Sequence, residues 1–373
     1  VAVSGLVFAA GRPWPQLLKA VLDQLDPAPR DAELGLVFLA DPVTEMADVM
    51  IEGLRERTGI RIWLGAASTA VFAGGQELAG DGAIAALPLA LGGVTLHPFS
   101  GRLPTGAADA AGGIVHVPDT ADAARAYAAL ARHAPCPLAG GQSASAFDHA
   151  QITMGPSAGA ATGVLLAGDV RLVTGVSHGC RALGPVHRVT GGQGATLASL
   201  DGRPAAQVLA EAAGDLLLRE PRLLARQILA VGVAATDGDA RGGLPATGLA
   251  GLATLYGIGH ADRLGGAVSL TGLPHGGSLP GHLAFYRRDP RLALDELDAL
   301  ARDLRRRLDG RPPKAALFYS STERGAGFFG PETDEAVVLA RALGPVPVIG
   351  MRSAAEVAGS GLTRYAAALA LIA

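Results

Sequence analysis

Two places in this sequence hold residues whose types and spacing could do chemistry. The first is Ser177-His178-Gly179-Cys180-Arg181-Ala182-Leu183-Gly184-Pro185. Residues two apart on a strand share a face, so His178 could take the proton of Cys180 and leave a nucleophilic thiolate. Such a hydrolase or transferase centre also needs a third group to orient the base. The sequence does not reveal one, and a buried structural thiol is the competing reading. The second place is the stretch 315–359, which carries Ser320, Ser321, Glu323, Arg324, the glycines 325, 327 and 330, Ser353 and Glu356. Gly325-x-Gly327-x-x-Gly330 has the form of a dinucleotide fingerprint. Residues 320–324, however, part the strand from the glycines, and no acid ends the following strand to hold a ribose, so no cofactor is expected. What remains is a loop able to offer N–H groups to a small anionic or polar ligand, with Arg324 as its charge partner. Glu356 follows a strand at a position where side chains of open α/β sheets meet ligands.

Other motifs lead to less. Gly155-Pro156-Ser157-Ala158-Gly159 matches the nucleophile elbow, but a strand-like run follows where that motif needs a helix. Lys19 and Lys314, the only lysines, complete no phosphate-binding loop. The nine histidines have no zinc-like spacing, and two cysteines, Cys136 and Cys180, give neither a disulfide framework nor a four-ligand site. No metal is expected.

The elements that position the second place read as strand Ala315–Tyr319, a helix from Pro331 to Leu343, strand Val346–Ile349 and a closing turn 350–359. An echo lies near the N-terminus: strand Leu36–Leu39, helix 41–58, strand Arg61–Leu64 and a turn from Gly65 to Gly74. A third such unit runs from Ile114 through a helix at 120–133 to Leu138, with Gly140-Gly141-Gln142-Ser143 turning the chain. Gly92-Gly93 and Gly168-Asp169 read as hairpin turns between 83–91 and 94–99 and between 161–167 and 170–176. Residues 186–190 and 196–200 read as a strand pair, 205–213 as a helix and 290–308 as a long amphipathic helix. The expected fold is therefore α/β, mixed α+β: two related domains from an internal duplication, 1–200 and 201–373, each a mixed sheet with helices packed on it.

Composition narrows the class. A chain of 373 residues exceeds the usual single-domain size. Hydrophobic residues make up 49% but aromatics only 4%, with 52 glycines, so the cores are built from Ala, Val and Leu. A net charge of −3 gives no nucleic-acid footprint. No apolar run approaches the roughly 18 residues of a membrane span, and no cationic leader precedes a long apolar segment. A cytoplasmic protein without nucleic-acid or membrane partners is expected.

Taken together, several segments resemble the FIST family of sensory proteins, which has an N-terminal and a C-terminal FIST domain. They are Thr174–Pro185, Val189-Thr190, Leu200–Ala205, Ala139-Gly140-Gly141 and Tyr286–Asp289. Towards the C-terminus they are joined by Ala316–Ser321, Arg324-Gly325, Phe329-Gly330, Glu335, Val346–Gly350 and Glu356. The resemblance implies a FIST N-like domain at 1–200 and a FIST C-like domain at 201–373. It implies small-molecule sensing without catalysis, with an amino acid or similar metabolite as ligand. With no kinase, cyclase or methyl-accepting segment in the chain, the output is expected to pass to a separate signalling protein. The expected ligand-facing residues are Ser320, Ser321, Arg324, Gly325, Gly327, Ser353 and Glu356, then His178, Cys180 and Arg181. The alternative is an enzyme using Cys180 and His178.

Overall fold

The computed structural model describes residues 5–25, 31–120, 122–147, 151–153, 156–157, 160–214, 220–233, 254–262, 264–273, 277–331 and 334–373. By packing, the chain falls into two compact units: Val1–Val176 with Leu297–Ala373, and Ser177–Glu296. This cut through packing differs from the expected division of the sequence at residue 200.

The first unit contains three six-stranded sheets with one plan. In each, a parallel pair lies in the middle with a helix between its strands, and an antiparallel strand flanks it on either side. The first sheet has the pair Leu34–Ala40 and Ile62–Ser68, joined by helix Ala47–Thr58 and flanked by Ala83–Leu89 and Gln151–Thr153. The second has Ala110–Val117 and Leu138–Gln142, joined by helix Ala123–Ala131 and flanked by Thr162–Ala167 and Glu356–Ala358. The third has Ala315–Ser321 and Val348–Ser353, joined by helix Glu335–Leu343 and flanked by Ala367–Ile372 and Ala70–Ala73. Strands buried on both faces read as unbroken apolar runs, which is why Leu34–Ala40 and Ala315–Ser321 were legible. One shared core joins inward residues of all three sheets, among them Leu36, Phe38, Ile114, Val164, Leu317, Tyr319, Ile349 and Ala368.

The second unit is a six-stranded antiparallel barrel. Strands His187–Gln193, Thr196–Leu200, Val268–Thr271, Thr254–Ala261, Ile228–Val233 and His282–Arg288 follow one another round it, the last pairing back to the first. Closure leaves no sheet edge to protect. Leu197, Ile228, Ile258, Val268 and Phe285 share its core with Val208 and Leu209 of helix Ala205–Ala213.

The fold is thus mixed α/β, as expected, but the packing does not display two matched halves. What recurs is the six-stranded sheet, three times in one unit, while the other unit is a barrel. Two hairpins are corrected. Ala83–Leu89 joins the first sheet and Thr95–Ser100 the second; Thr162–Ala167 joins the second and Leu172–Ser177 the third. Gly92-Gly93 and Gly168-Asp169 do turn the chain, but pairing is settled by which sheet buries the next apolar run. The nucleophile-elbow match lies largely outside the described residues. Among the described residues no helix is long and apolar enough to cross a membrane.

Candidate functional site

The presumed turns at Gly65, Gly140 and Gly350 are strand interior. Each glycine is the register partner of a residue on the first strand of its pair: Val37, Val115 and Phe318. A Cβ on Gly65, Gly140 or Gly350 would lie 1.5, 1.7 or 1.7 Å from that partner's carbonyl oxygen. Only glycine permits so close an approach, so these glycines bend strands instead of ending them. The residue after each partner points to the common centre. Phe38, His116 and Tyr319 form a triangle of rings with centroids 5.4, 5.9 and 5.7 Å apart, and His116 Nε2 lies 2.9 Å from Tyr319 Oη.

Three residues beyond each glycine stands a fully buried serine: Ser68, Ser143 and Ser353. At this level hydrogen bonds run in a cycle from sheet to sheet. Ser68 Oγ donates to the Arg352 carbonyl at 2.5 Å, the Ala354 amide to Gln142 O at 3.1 Å and the Ala144 amide to Ala67 O at 3.4 Å. Each flanking strand on the far side of a pair places one residue beside this cycle: Gln151 opposite Ala66, Glu356 opposite Gly141 and Val71 opposite Met351. Gln151 Nε2 donates to Ser143 Oγ at 2.6 Å. Ser353 Oγ donates to Glu356 Oε1 at 2.8 Å, and the Ala366 amide reaches Glu356 Oε2 at 3.3 Å.

Beside Glu356 lies a buried ionic network. Arg324 donates through Nε and Nη2 to Glu335 Oε1 at 3.0 and 2.9 Å, with both side chains fully buried. Arg352 Nη1 donates to Glu335 Oε2 at 3.0 Å and to Ser320 Oγ at 2.8 Å, while its Nε and Nη2 reach Glu77 at 2.8 and 2.5 Å. Ser320 Oγ donates to Glu335 Oε2 at 2.6 Å. Phe72 and Phe329 lie under the Arg352 and Arg324 guanidinium groups at 4.8 and 5.5 Å, a favourable cation–ring placement. Burial opposes the charge of Arg352, but the hydrogen bond it donates to Glu77 and the charges of Glu335 and Glu77 outweigh it and raise its pKa. Burial drives the Glu356 pKa well above its ordinary value; the Ser353 bond, the Arg324 charge and the Ala366 amide oppose that shift without cancelling it.

The structure therefore brings Ser320, Arg324, Ser353 and Glu356 together, with Ser321 adjoining as an acceptor of Arg352 Nη1 at 3.3 Å through its carbonyl. Arg324 reaches this cluster as a buried partner of Glu335, not as a surface cation. Gly325 and Gly327 do not form an open anion loop. Gly325 precedes a single helical turn, Ala326–Phe329, and the amides of Phe328, Phe329 and Gly330 are used within it. The residues that sequence reasoning missed are Glu77, Arg352, His116 and Gln151, while Glu335 was singled out only as a position of the resemblance and not as part of the site. An arginine and a serine following directly on an apolar strand were the signal for Arg352, hidden by taking Gly350 as the strand's end.

His178, Cys180 and Arg181 belong to the barrel unit. The His178 and Gly179 amides donate to Glu296 Oε2 at 3.1 and 2.8 Å, and Arg181 pairs with Asp289 at 3.2 Å. Gly179 adopts φ +64°, and a Cβ there would meet Ala293 at 2.2 Å, so the corner is shaped for tight packing on a helix start. Cys180 is fully buried, its Sγ donating to the His178 carbonyl at 3.5 Å. Buried thiols of this kind are inert. Among the described residues no group of three His, Cys, Asp or Glu side chains is placed to hold a metal. A surface cleft lined by Ala32, Glu33, Gly59, Ile60, Arg61, Ile62 and Pro98 lies at the opposite ends of the first parallel pair from these polar groups.

Comparison with known proteins agrees with this geometry's division of the chain only in part, since the matched region takes in two of the three parallel pairs. The chain is 30% identical over 195 residues to the uncharacterized protein Rv0628c of Mycobacterium tuberculosis (strain ATCC 25618 / H37Rv), covering 52% of this chain and 48% of that protein. It is 31% identical over 210 residues to the uncharacterized protein Mb0898c of Mycobacterium bovis (strain ATCC BAA-935 / AF2122/97), covering 56% and 50%. The chain thus spans about half the length of the curated relatives it matches. The FIST N domain profile matches residues 33–203, and on that match the chain carries a FIST N domain there.

Proposed function

We propose that this chain is a FIST-type sensing and signal-transduction protein that binds an amino acid or similar small metabolite and signals through a separate protein in the cytoplasm. The FIST N domain supports the sensory reading. The observation that carries the choice of site is the charge count around Glu356. Glu77, Glu335 and Glu356 bring three carboxyls to two guanidinium groups, those of Arg324 and Arg352. Among the described residues Glu356 is the one of the three that accepts its hydrogen bonds from neutral donors, the Ser353 hydroxyl and the Ala366 amide. A ligand ammonium would favour ionisation of Glu356, which burial opposes, and the C-terminal ends of parallel strands are where α/β sheets take ligands. Ser353 and Glu356 would receive the ammonium, with the 322–330 segment as the edge through which it arrives.

Thermal unfolding with a panel of amino acids and small amines tests this reading. A ligand at 100 times its dissociation constant stabilises by about 2.7 kcal/mol, so at least one member should raise Tm by several degrees without being consumed. No shift across the panel, or turnover of the compound that shifts it, contradicts the proposal.

A further inference from the structure

We infer that the contact between the first and second sheets holds a small uncharged hydrogen-bonding molecule, water being the smallest, bound between His116 and Thr162. Both side chains are fully buried. His116 Nδ1 and Thr162 Oγ1 have no hydrogen-bond partner among the described residues. They are also direct register partners in an antiparallel pair, His116 on Ala110–Val117 and Thr162 on Thr162–Ala167. Direct partners project from the same face with Cβ atoms about 4.5–5.5 Å apart. Two unmade polar groups therefore face one small region, where leaving either unpaired is costly.

The protonation pattern says what the molecule must do. Tyr319 Oη is hydrogen-bonded to His116 Nε2, and burial pushes the tyrosine pKa up, so the phenol keeps its proton. Donating that proton to Nε2 satisfies both atoms and leaves the imidazole hydrogen on Nδ1. Burial also pushes the His116 pKa down to about 3, so the ring is neutral. The bound molecule must then accept from Nδ1–H and exchange a hydrogen bond with the Thr162 hydroxyl, which water does and which needs no charge. The neighbouring strand is polar here as well: Gln151, on the strand that packs against Thr162–Ala167, is buried and bonded to Ser143. At the equivalent contact between the third and first sheets, Val71 packs near Ala85 and offers nothing to such a molecule.

A crystal structure at a resolution that orders buried waters tests the inference on the unaltered protein. The expected result is a density peak about 2.7–3.2 Å from both His116 Nδ1 and Thr162 Oγ1. An isolated peak identifies water; extended density, with a compound released on denaturation and seen by mass spectrometry, identifies a metabolite. Empty space beside both atoms overturns the inference. Thr162→Val gives an independent readout. With a bound molecule the substitution strands it and lowers Tm by about 2–4 °C; with an empty site it removes an unpaired buried hydroxyl and raises Tm, which also overturns the inference.

Discussion

The contacts between the three sheets of the first unit share one backbone and differ in chemistry. Where the third sheet meets the first, the residue beside the serine level is Val71, and Ser68 turns to the Arg352 carbonyl. Where the second meets the third, the equivalent residue is Glu356, bonded to Ser353 and within reach of the Arg324 charge. The glycine, the ring that follows its register partner and the serine itself are common to both. The difference shows that closure of the unit does not require polar groups at this level, because an apolar residue closes one contact equally well. The acid at the other contact is therefore a candidate for function, whereas Gly65, Gly140 and Gly350 are explained by packing.

Substitutions can break this comparison in order of expected effect. Gly350→Ala puts a methyl group into the Phe318 carbonyl, and the atom that must yield is backbone. A loss above about 4 kcal/mol, or failure to fold, is expected in denaturant unfolding, with Gly65→Ala and Gly140→Ala behaving alike if the three pairs are equivalent. Glu335→Gln strips the shared partner from Arg324 and Arg352, and breaking a buried pair from one side costs about 3–5 kcal/mol. Tyr319→Phe removes the donor to His116 Nε2 and should cost about 1–3 kcal/mol. A mild change in Tm for any of these three would mean that the corresponding contact is not what holds the sheets together.

Glu356 sharpens the comparison through pH. Its folded-state pKa is raised above the ordinary value of 4.5, so the folded state binds its proton more tightly than the unfolded state does. The contribution is fully present below pH 4.5 and is lost as pH rises through the raised pKa. Glu356→Gln should therefore match the parent at low pH and exceed it in stability at alkaline pH, a difference absent from any substitution at Val71. Equal pH profiles for parent and Gln variant would show that Glu356 is ionised without penalty.

Much of the first unit was legible because its parallel pairs are apolar runs flanking helices with an amphipathic stripe. Leu36–Leu39 and Ala315–Tyr319 stood out as apolar runs, and elsewhere the helices expected at 205–213 and 290–308 are found at Ala205–Ala213 and Pro290–Arg307. The strand ends were misread at Gly65, Gly140 and Gly350, since glycine after an apolar run signals a turn unless a neighbouring carbonyl occupies the space of its Cβ. That information lies on another strand. The site was half legible for the same reason: Ser320, Arg324 and Glu356 stood out locally, but Glu77 lies 275 positions from Arg352 and acquires meaning only when the third sheet is assembled.

The most direct test of the account is calorimetric titration of the best thermal-shift compound into the parent protein and Glu356→Gln. Binding at Glu356 predicts an affinity at least about tenfold weaker in Glu356→Gln, equivalent to about 1.4 kcal/mol. Equal affinity in the parent and Glu356→Gln would contradict it.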